Sequence, residues 1–232
     1  MPDFCQGDKR YGKLPDDGSS YCGPVALSNI LIYLDRTNCP DLIPGEKLSK
    51  RDQFTLIKLL GSKKYIQTSP KTGTEPLALM RGLIKYASNK GYKISIKWKG
   101  WHDGRNYSTG EIPDQNWIAG EIKDFSNAIL HIGWYKYDVK KDFYKRIGGH
   151  YVSVVRIKDD KIIIHDPSIR SGIGPKDEYC RFVPIKSGTL SKWHKYKARP
   201  AKGYSKIEGL KIKEGADVAI VDGAIVFSLR KI

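Results

Sequence analysis

The spacing of apolar residues in the first ninety positions predicts three helices. The first runs from about Gly23 to Asp35, and its apolar side chains cover nearly the whole circumference, so we expect it inside the core. A second is predicted over 51–60, and a third from Thr74, a good N-cap residue, to just before Gly91. The apolar positions of the first helix are Val25, Ala26, Leu27, Ile30, Leu31, Ile32 and Leu34.

The second half of the chain changes to alternating and β-branched patterns, which predict strands. Residues 99–127 between them are typical of a long loop with a short helix. The segment DVAIVDGAIVFSL is predicted to be a hairpin with Asp222 and Gly223 as its two-residue turn. Helices first and strands later indicate an α+β fold, not alternating βαβ units. The other predicted strands are YKISIKW (92–98), AILHIGWYKY (128–137), HYVSVVRI (150–157) and KIIIH (161–165).

Length and composition favour one large domain with an appendage. The chain has 232 residues, of which 40% are hydrophobic, as in ordinary globular proteins. Residues 1–197 are predicted to form the main domain. Residues 198–232 are too few for a confident core of their own, so we expect a β-hairpin extension packed on that domain.

The charge is strongly basic and unevenly distributed. The formal net charge is +16, and the stretch from Arg181 to Lys213 holds ten basic residues against one acid, Glu208. Such a surface attracts an anionic surface or polymer, and a merely solvated face is the alternative. Trp193 and Tyr196 among these lysines also suit single-stranded nucleic acid, but aromatic residues at element ends usually belong to the core, so nucleic acid is the less favoured partner.

The sequence predicts no transmembrane segment, metal or cofactor. No apolar run approaches 18 residues, and residues 1–13 lack the apolar stretch of a signal peptide, which leaves the compartment open. No CxxC pair or Cys/His cluster has zinc-ligand spacing. The cysteines are Cys5, Cys22, Cys39 and Cys180.

Cys22 lies at the start of the first predicted helix, directly before Gly23 and Pro24. Free cysteines are usually buried and inert. At a helix N-terminus, however, unpaired amides and the helix dipole stabilise an anion and favour a reactive thiolate. A nucleophilic thiolate needs a base and a group that orients the base.

His150 and Asp166 are the predicted base and orienting group. His150 follows two glycines at the mouth of a strand, and Asp166 ends the next strand before a proline. A three-residue loop from Lys158 to Asp160 pairs position 152 with 166 and brings both side chains to one face of the sheet. A two-residue turn places Asp166 on the opposite face, and His165 is then the candidate.

Three segments together resemble papain-like cysteine peptidases: YCGPVALSNILIYL, GGHYVSVVRI and IIIHDPS. The similarity is greatest to the double-glycine (bacteriocin-processing) peptidase family and its stand-alone relatives, and it spans about residues 15–193. It implies a papain-like fold, with N-terminal helices, the nucleophile on a central helix, and an antiparallel sheet packed against it. It implies Cys22 as nucleophile, His150 as general base and acid, and Asp166 as the residue that orients the imidazole.

The resemblance predicts a peptide or protein substrate, cleaved through a thioester acyl-enzyme. One position departs from the family, which usually has a glutamine about six residues before the cysteine as an oxyanion donor. Here Asp16 takes that place, and a carboxylate repels an oxyanion. Ser19, Ser20 or a main-chain amide is the replacement. Two alternatives stay open: a peptidoglycan amidase or endopeptidase acting on cell-wall peptide, and a catalytically inactive binding module.

Overall fold

Four α-helices occur in the described part of the chain, which in this computed structural model comprises residues 1–43, 49–122, 126–158 and 161–232. The three predicted helices are confirmed, and the third begins after Glu75 rather than Thr74. A short fourth helix lies in the long stretch between the first strands. Their bounds are α1 Cys22–Thr37, α2 Lys50–Gly61, α3 Pro76–Asn89 and α4 Gln115–Glu121. No helix within these ranges is both long and apolar enough to cross a bilayer.

The strands form one ten-stranded, mostly antiparallel sheet, so the predicted α+β class is confirmed at that level. Strand β3 pairs with β4 and β10, and β9 pairs with β6 and β10. Six strands, in the order β10-β3-β4-β5-β6-β9, therefore close into a barrel. The strands are β1 Tyr92–Gly100, β2 Ser108–Gly110, β3 Asn127–Asp138, β4 Phe143–Lys158, β5 Lys161–His165, β6 Glu178–Pro184, β7 Thr189–Leu190, β8 Arg199–Pro200, β9 Ser205–Glu208 and β10 Val218–Lys231.

Helix α1 packs between the sheet and the other N-terminal helices. Its residues from Cys22 to Ile32 are all buried, as the apolar circumference predicts. The hydroxyl of Ser153 on β4 donates to the carbonyl of Ala26 at 2.9 Å, which fixes the helix against the strand. This packing places the start of α1 near the middle of β4, around residues 150 and 151.

The predicted hairpin at the C-terminal end is wrong, because β10 is one continuous strand from Val218 to Lys231. It does not lie on the sheet but within it, between β1 and β3. Asp222 and Gly223 form a bulge, since Val221 and Gly223 pair with consecutive residues of β3. Asp222 is fully buried. Its carboxylate is bound by polar side chains and not by the solvent that would surround it in a turn.

Gly223 is required by packing and not by a turn. A β-carbon at this position would overlap the six-membered ring of Trp98, a fully buried side chain of β1. Trp98 in turn donates its indole N–H to the carbonyl of His102 at 3.0 Å, so the ring has little freedom to move aside.

Replacing Gly223 with alanine should therefore lower the free energy of unfolding by about 1–3 kcal/mol, because the added methyl group would overpack the core. Gly120 in α4 is the matched control, since no atom outside its own neighbourhood lies within 4 Å of an added β-carbon there. Alanine at 120 should be neutral or stabilising, as in other helix interiors. Urea denaturation of the two variants measures the difference; equal stabilities would show that Trp98 does not restrict position 223.

Candidate active site

His150 and Asp166 form a buried hydrogen-bonded pair. The distance from His150 Nε2 to Asp166 Oδ1 is 2.5 Å, and both residues are less than 5% exposed. The same carboxylate oxygen accepts the backbone N–H of Ser168 at 2.8 Å. Trp134 stacks on the imidazole with ring centroids 5.8 Å apart. These contacts hold the ring in one orientation and leave its Nδ1 as the nitrogen free to act on a substrate or a nucleophile.

The register that joins this pair differs from the predicted one. Lys158 pairs with Lys161, so two residues connect the strands and the expected three-residue loop is wrong. Residues 159 and 160 themselves lie outside the described ranges. A bulge between Val154 and Arg156 shifts the pairing by one position, so Ser153 lies opposite His165 and residue 152 opposite 166. Because the bulge shifts the pairing by one residue, the side chains at 150 and 166 lie on the same face of the sheet, as they would not with a two-residue connection alone.

His165, the alternative candidate, points elsewhere. Its Nε2 lies 3.0 Å from the carboxylate of Asp177, and its Nδ1 lies 3.0 Å from the carbonyl of Pro2. Its ring therefore ties the N-terminal segment to the sheet, and Asp166 is the partner of His150.

His150 and Asp166 each favour the charged form of the other. Burial in itself disfavours an imidazolium, but the charge and hydrogen bond of Asp166, followed by interaction with Cys22, raise the pKa of His150 to about 9. Burial also opposes ionisation of Asp166, yet His150, the Ser168 amide and Arg170 hold the pKa of this carboxyl below its usual value. At neutral pH the pair is therefore an imidazolium and a carboxylate.

Cys22 is the first residue of α1, and its side chain is close enough to the His150 imidazole to contribute to the raised pKa of that ring. Tyr21, the N-cap residue, provides no side-chain acceptor for the first amides of the helix. The backbone N–H groups of Cys22 and Gly23 make no hydrogen bond within the described ranges. The sequence-predicted residues Cys22, His150 and Asp166 thus lie together, with a helix N-terminus directed at the thiol.

The other three cysteines have different surroundings. All four cysteines are free thiols. Burial raises the pKa of Cys5 and Cys39, and it raises the pKa of Cys180 to about 12. Cys22 alone among the four interacts with an imidazolium, so the thiols offer an internal comparison of reactivity.

The segment before Cys22 offers no glutamine in the expected position. Asp16 is in the left-handed region with φ of 52°, and its carboxylate accepts the hydroxyl of Ser19. The hydroxyl of Ser20 donates to the carbonyl of Pro70 at 2.7 Å. Both serine hydroxyls already have acceptors, which leaves the main-chain amide of Cys22 as the strongest oxyanion donor of those considered.

A cavity of about 400 Å³ opens beside Cys22. One side is formed by 71–76 and the serines before α1, and the other by the strand residues that precede His150. The segment 181–213, predicted to bind anions, contributes Trp193, His194 and Lys213 to the wall. The cavity therefore lies between the Cys22 thiol and part of the basic segment 181–213.

Three buried polar residues that line this cavity, His102, His131 and Arg146, and their neighbour Asp222 have no local sequence signal for a site. Asp222 accepts the Nε–H of Arg146 at 2.8 Å and the hydroxyl of Tyr135 at 2.7 Å. His131 Nε2 lies 3.5 Å from a terminal nitrogen of Arg146, and the His102 ring lies edge-on to His131. His131, Arg146 and Asp222 lie on barrel strands, whereas His102 lies in the segment after β1, and only the three-dimensional fold brings them together.

Comparisons with known proteins do not place the chain in a family. No family model matches it, and no curated protein has significant sequence similarity to it.

Proposed function

We propose that the protein is a papain-like cysteine peptidase, or a related hydrolase of amide bonds, with Cys22, His150 and Asp166 as its catalytic triad. The buried 2.5 Å contact between His150 and Asp166, beside a thiol at a helix N-terminus, is the observation that supports it best. A structural cysteine has no need of an imidazole held by a carboxylate.

The geometry accounts for each chemical step. The Cys22 thiolate attacks the carbonyl carbon, forms a carbon–sulfur bond and creates an oxyanion. Collapse of this intermediate breaks the carbon–nitrogen bond, and the His150 imidazolium gives its proton to the departing amine. Neutral His150 then takes a proton from water, whose oxygen attacks the thioester and releases Cys22 and the acid product.

Asp166 and the start of α1 stabilise the charges that develop. Asp166 orients the imidazole and stabilises its charged form, because it accepts a hydrogen bond at Nε2. The free N–H of Cys22 is the expected oxyanion donor. Asp16 is not suited to that role, and one missing donor typically costs about 2.7–4 kcal/mol of transition-state stabilisation.

A specific observation favours a narrower version, in which the amide bond belongs to cell-wall peptide. The net charge is +16, and one basic residue of 181–213, Lys213, reaches the cavity beside the thiol. A basic enzyme is attracted to an anionic polymer. Asp16 is the observation that favours the inactive binding module instead.

Selective alkylation tests the proposal. At pH 6, limiting iodoacetamide should modify Cys22 at least about tenfold faster than Cys5, Cys39 or Cys180, because only a thiolate reacts. Peptide mapping by mass spectrometry reads all four sites in one sample. Equal, slow labelling of all four would leave Cys22 a structural residue and refute the triad.

Zymography then separates the two hydrolytic versions. Clearing of a casein gel by the native protein, absent in Cys22→Ser, supports a general peptidase. Clearing of a cell-wall gel alone supports a peptidoglycan amidase or endopeptidase. A reactive Cys22 without clearing of either gel supports the binding module.

A further inference from the structure

Arg146 is a buried cation in the lining of the cavity beside Cys22. It is 5% exposed, although the cavity reaches it, and its Nε is held by Asp222. The guanidinium lies over the ring of Trp193, 4.6 Å from its centroid. An aromatic face and a buried carboxylate thus fix the plane of this cation, so it is preorganised and needs little further ordering to bind a ligand.

Two histidines beside Arg146 each have a buried ring nitrogen with no partner in the described chain. His102 and His131 are both 5% exposed, both line the cavity, and the Nδ1 of each lacks a hydrogen bond. Burial, together with neighbouring positive charge, lowers the pKa of both rings well below the usual value, so both are neutral at pH 7. Buried polar atoms are rarely left unsatisfied, and a bound group would satisfy them.

The charges that line the cavity favour an anionic ligand. Lys71, Arg146 and Lys213 line it, against one acid, Glu75. Ring nitrogens and a carboxylate of His102, His131 and Asp222 lie within 4.8 Å of one another, which resembles a metal site. However, both Asp222 oxygens already accept hydrogen bonds, one of them from Arg146, and this guanidinium repels a cation.

We propose that Arg146, His102 and His131, assisted by Lys213, bind a carboxylate of the peptide substrate next to the bond that Cys22 attacks. This inference rests on the proposed hydrolase function and adds the substrate class. A guanidinium offers parallel N–H donors that match a planar carboxylate, and a neutral imidazole adds one N–H donor. The substrate then carries either an acidic side chain or a free terminal carboxylate at this place.

Two small alkylating agents test the proposal without knowledge of the substrate. Iodoacetate and iodoacetamide react with the same thiolate and differ mainly in one carboxylate. We expect the ratio of their rate constants at Cys22 to fall about threefold or more in Lys213→Glu and about tenfold in His102→Phe. The ratio cancels changes in the thiolate itself, and any preference that the His150 imidazolium creates persists in both variants.

Lys93→Glu is the matched control, because Lys93 is exposed on β1 and does not line the cavity. Its ratio should equal that of the native protein. Fast labelling by both reagents, with one ratio throughout the series, would overturn the carboxylate site and leave the hydrolase proposal standing. Slow labelling by both reagents at pH 6 in the native protein would overturn the hydrolase proposal and the site with it.

Three matched amino-acid derivatives identify the source of the carboxylate through protection against iodoacetamide. N-acetylglutamate amide carries only a side-chain carboxylate, N-acetylglutamine only a terminal one, and N-acetylglutamine amide none. Protection by the first indicates an acidic side chain, and protection by the second indicates a carboxyl terminus. Equal protection by all three, or stronger protection by inorganic phosphate, would contradict the proposal.

Discussion

Replacing His150 with alanine should lower the rate of Cys22 alkylation at pH 6 by about two orders of magnitude. In the native protein Asp166 keeps the imidazole beside Cys22 charged, and the proposed mechanism requires this imidazolium to activate the thiol. A cysteine without such a partner, with a pKa near 8.5, is less than about 1% ionised at pH 6. Rates of iodoacetamide labelling between pH 4 and 10 measure the loss.

Asp166→Asn is the informative companion to His150→Ala. It keeps the shape of the partner but removes the charge that raises the pKa of His150, so that pKa should fall from about 9. Labelling at pH 6 should then lie between the native rate and that of His150→Ala. Native rates in both variants would mean that the pair does not activate Cys22.

Under the proposed mechanism, the raised pKa of His150 also sets the pH range of hydrolysis. The imidazolium must donate a proton to the leaving amine, and it is lost as the pH rises through about 9. Activity should therefore be sustained at neutral pH and fall on the alkaline side near 9. The raised pKa of His150 also stabilises the folded state. This stabilisation is fully present below the pKa of histidine in the unfolded chain, about 6.5, and is lost as the pH rises through the folded value of about 9.

Removing Asp222 should cause the largest loss of stability. Its carboxylate is fully buried and neutralises Arg146, which is also buried. Asp222→Ala leaves that guanidinium without its counter-charge, and breaking a buried pair in this way typically costs about 3–5 kcal/mol. For a chain of this length, the expected fall in Tm is about 6–20 °C.

Two further variants show whether the charge is responsible. Asp138→Ala removes a carboxylate from a solvent-exposed pair with Lys141 and should cost less than about 1 kcal/mol. The double variant Asp222→Leu, Arg146→Met removes both charges of this buried pair and should recover most of the lost stability. A double variant as unstable as Asp222→Ala would assign the effect to packing and not to electrostatics.

The sequence was sufficient for the helices and for the three residues, Cys22, His150 and Asp166, that the fold brings together. The apolar circumference of α1 requires burial, and that burial sets Cys22 beside the sheet. A nucleophilic thiol requires a base and an orienting group, which is why the sequence pointed to His150 and Asp166.

The same reasoning failed where long-range contacts override local signals. Asp222 and Gly223 have the composition of a turn, but a bulge, the Arg146 guanidinium and the Trp98 ring keep them inside a strand. The two-residue connection between β4 and β5 changes the register by one residue, and the bulge at Val155 changes it back. The contact between His150 and Asp166 was therefore predicted correctly from an incorrect loop length. Arg146 has no local pattern that separates it from a surface arginine.

The central place of β10 has a consequence for the order of folding. This strand follows all the others in sequence, yet it pairs with β1 residues that precede it by about 120 residues or more, and such non-local pairing slows folding. During synthesis, the barrel cannot close until residues 218–231 have left the ribosome. Until then, the edges of β1 and β3 stay open to mispairing with other chains.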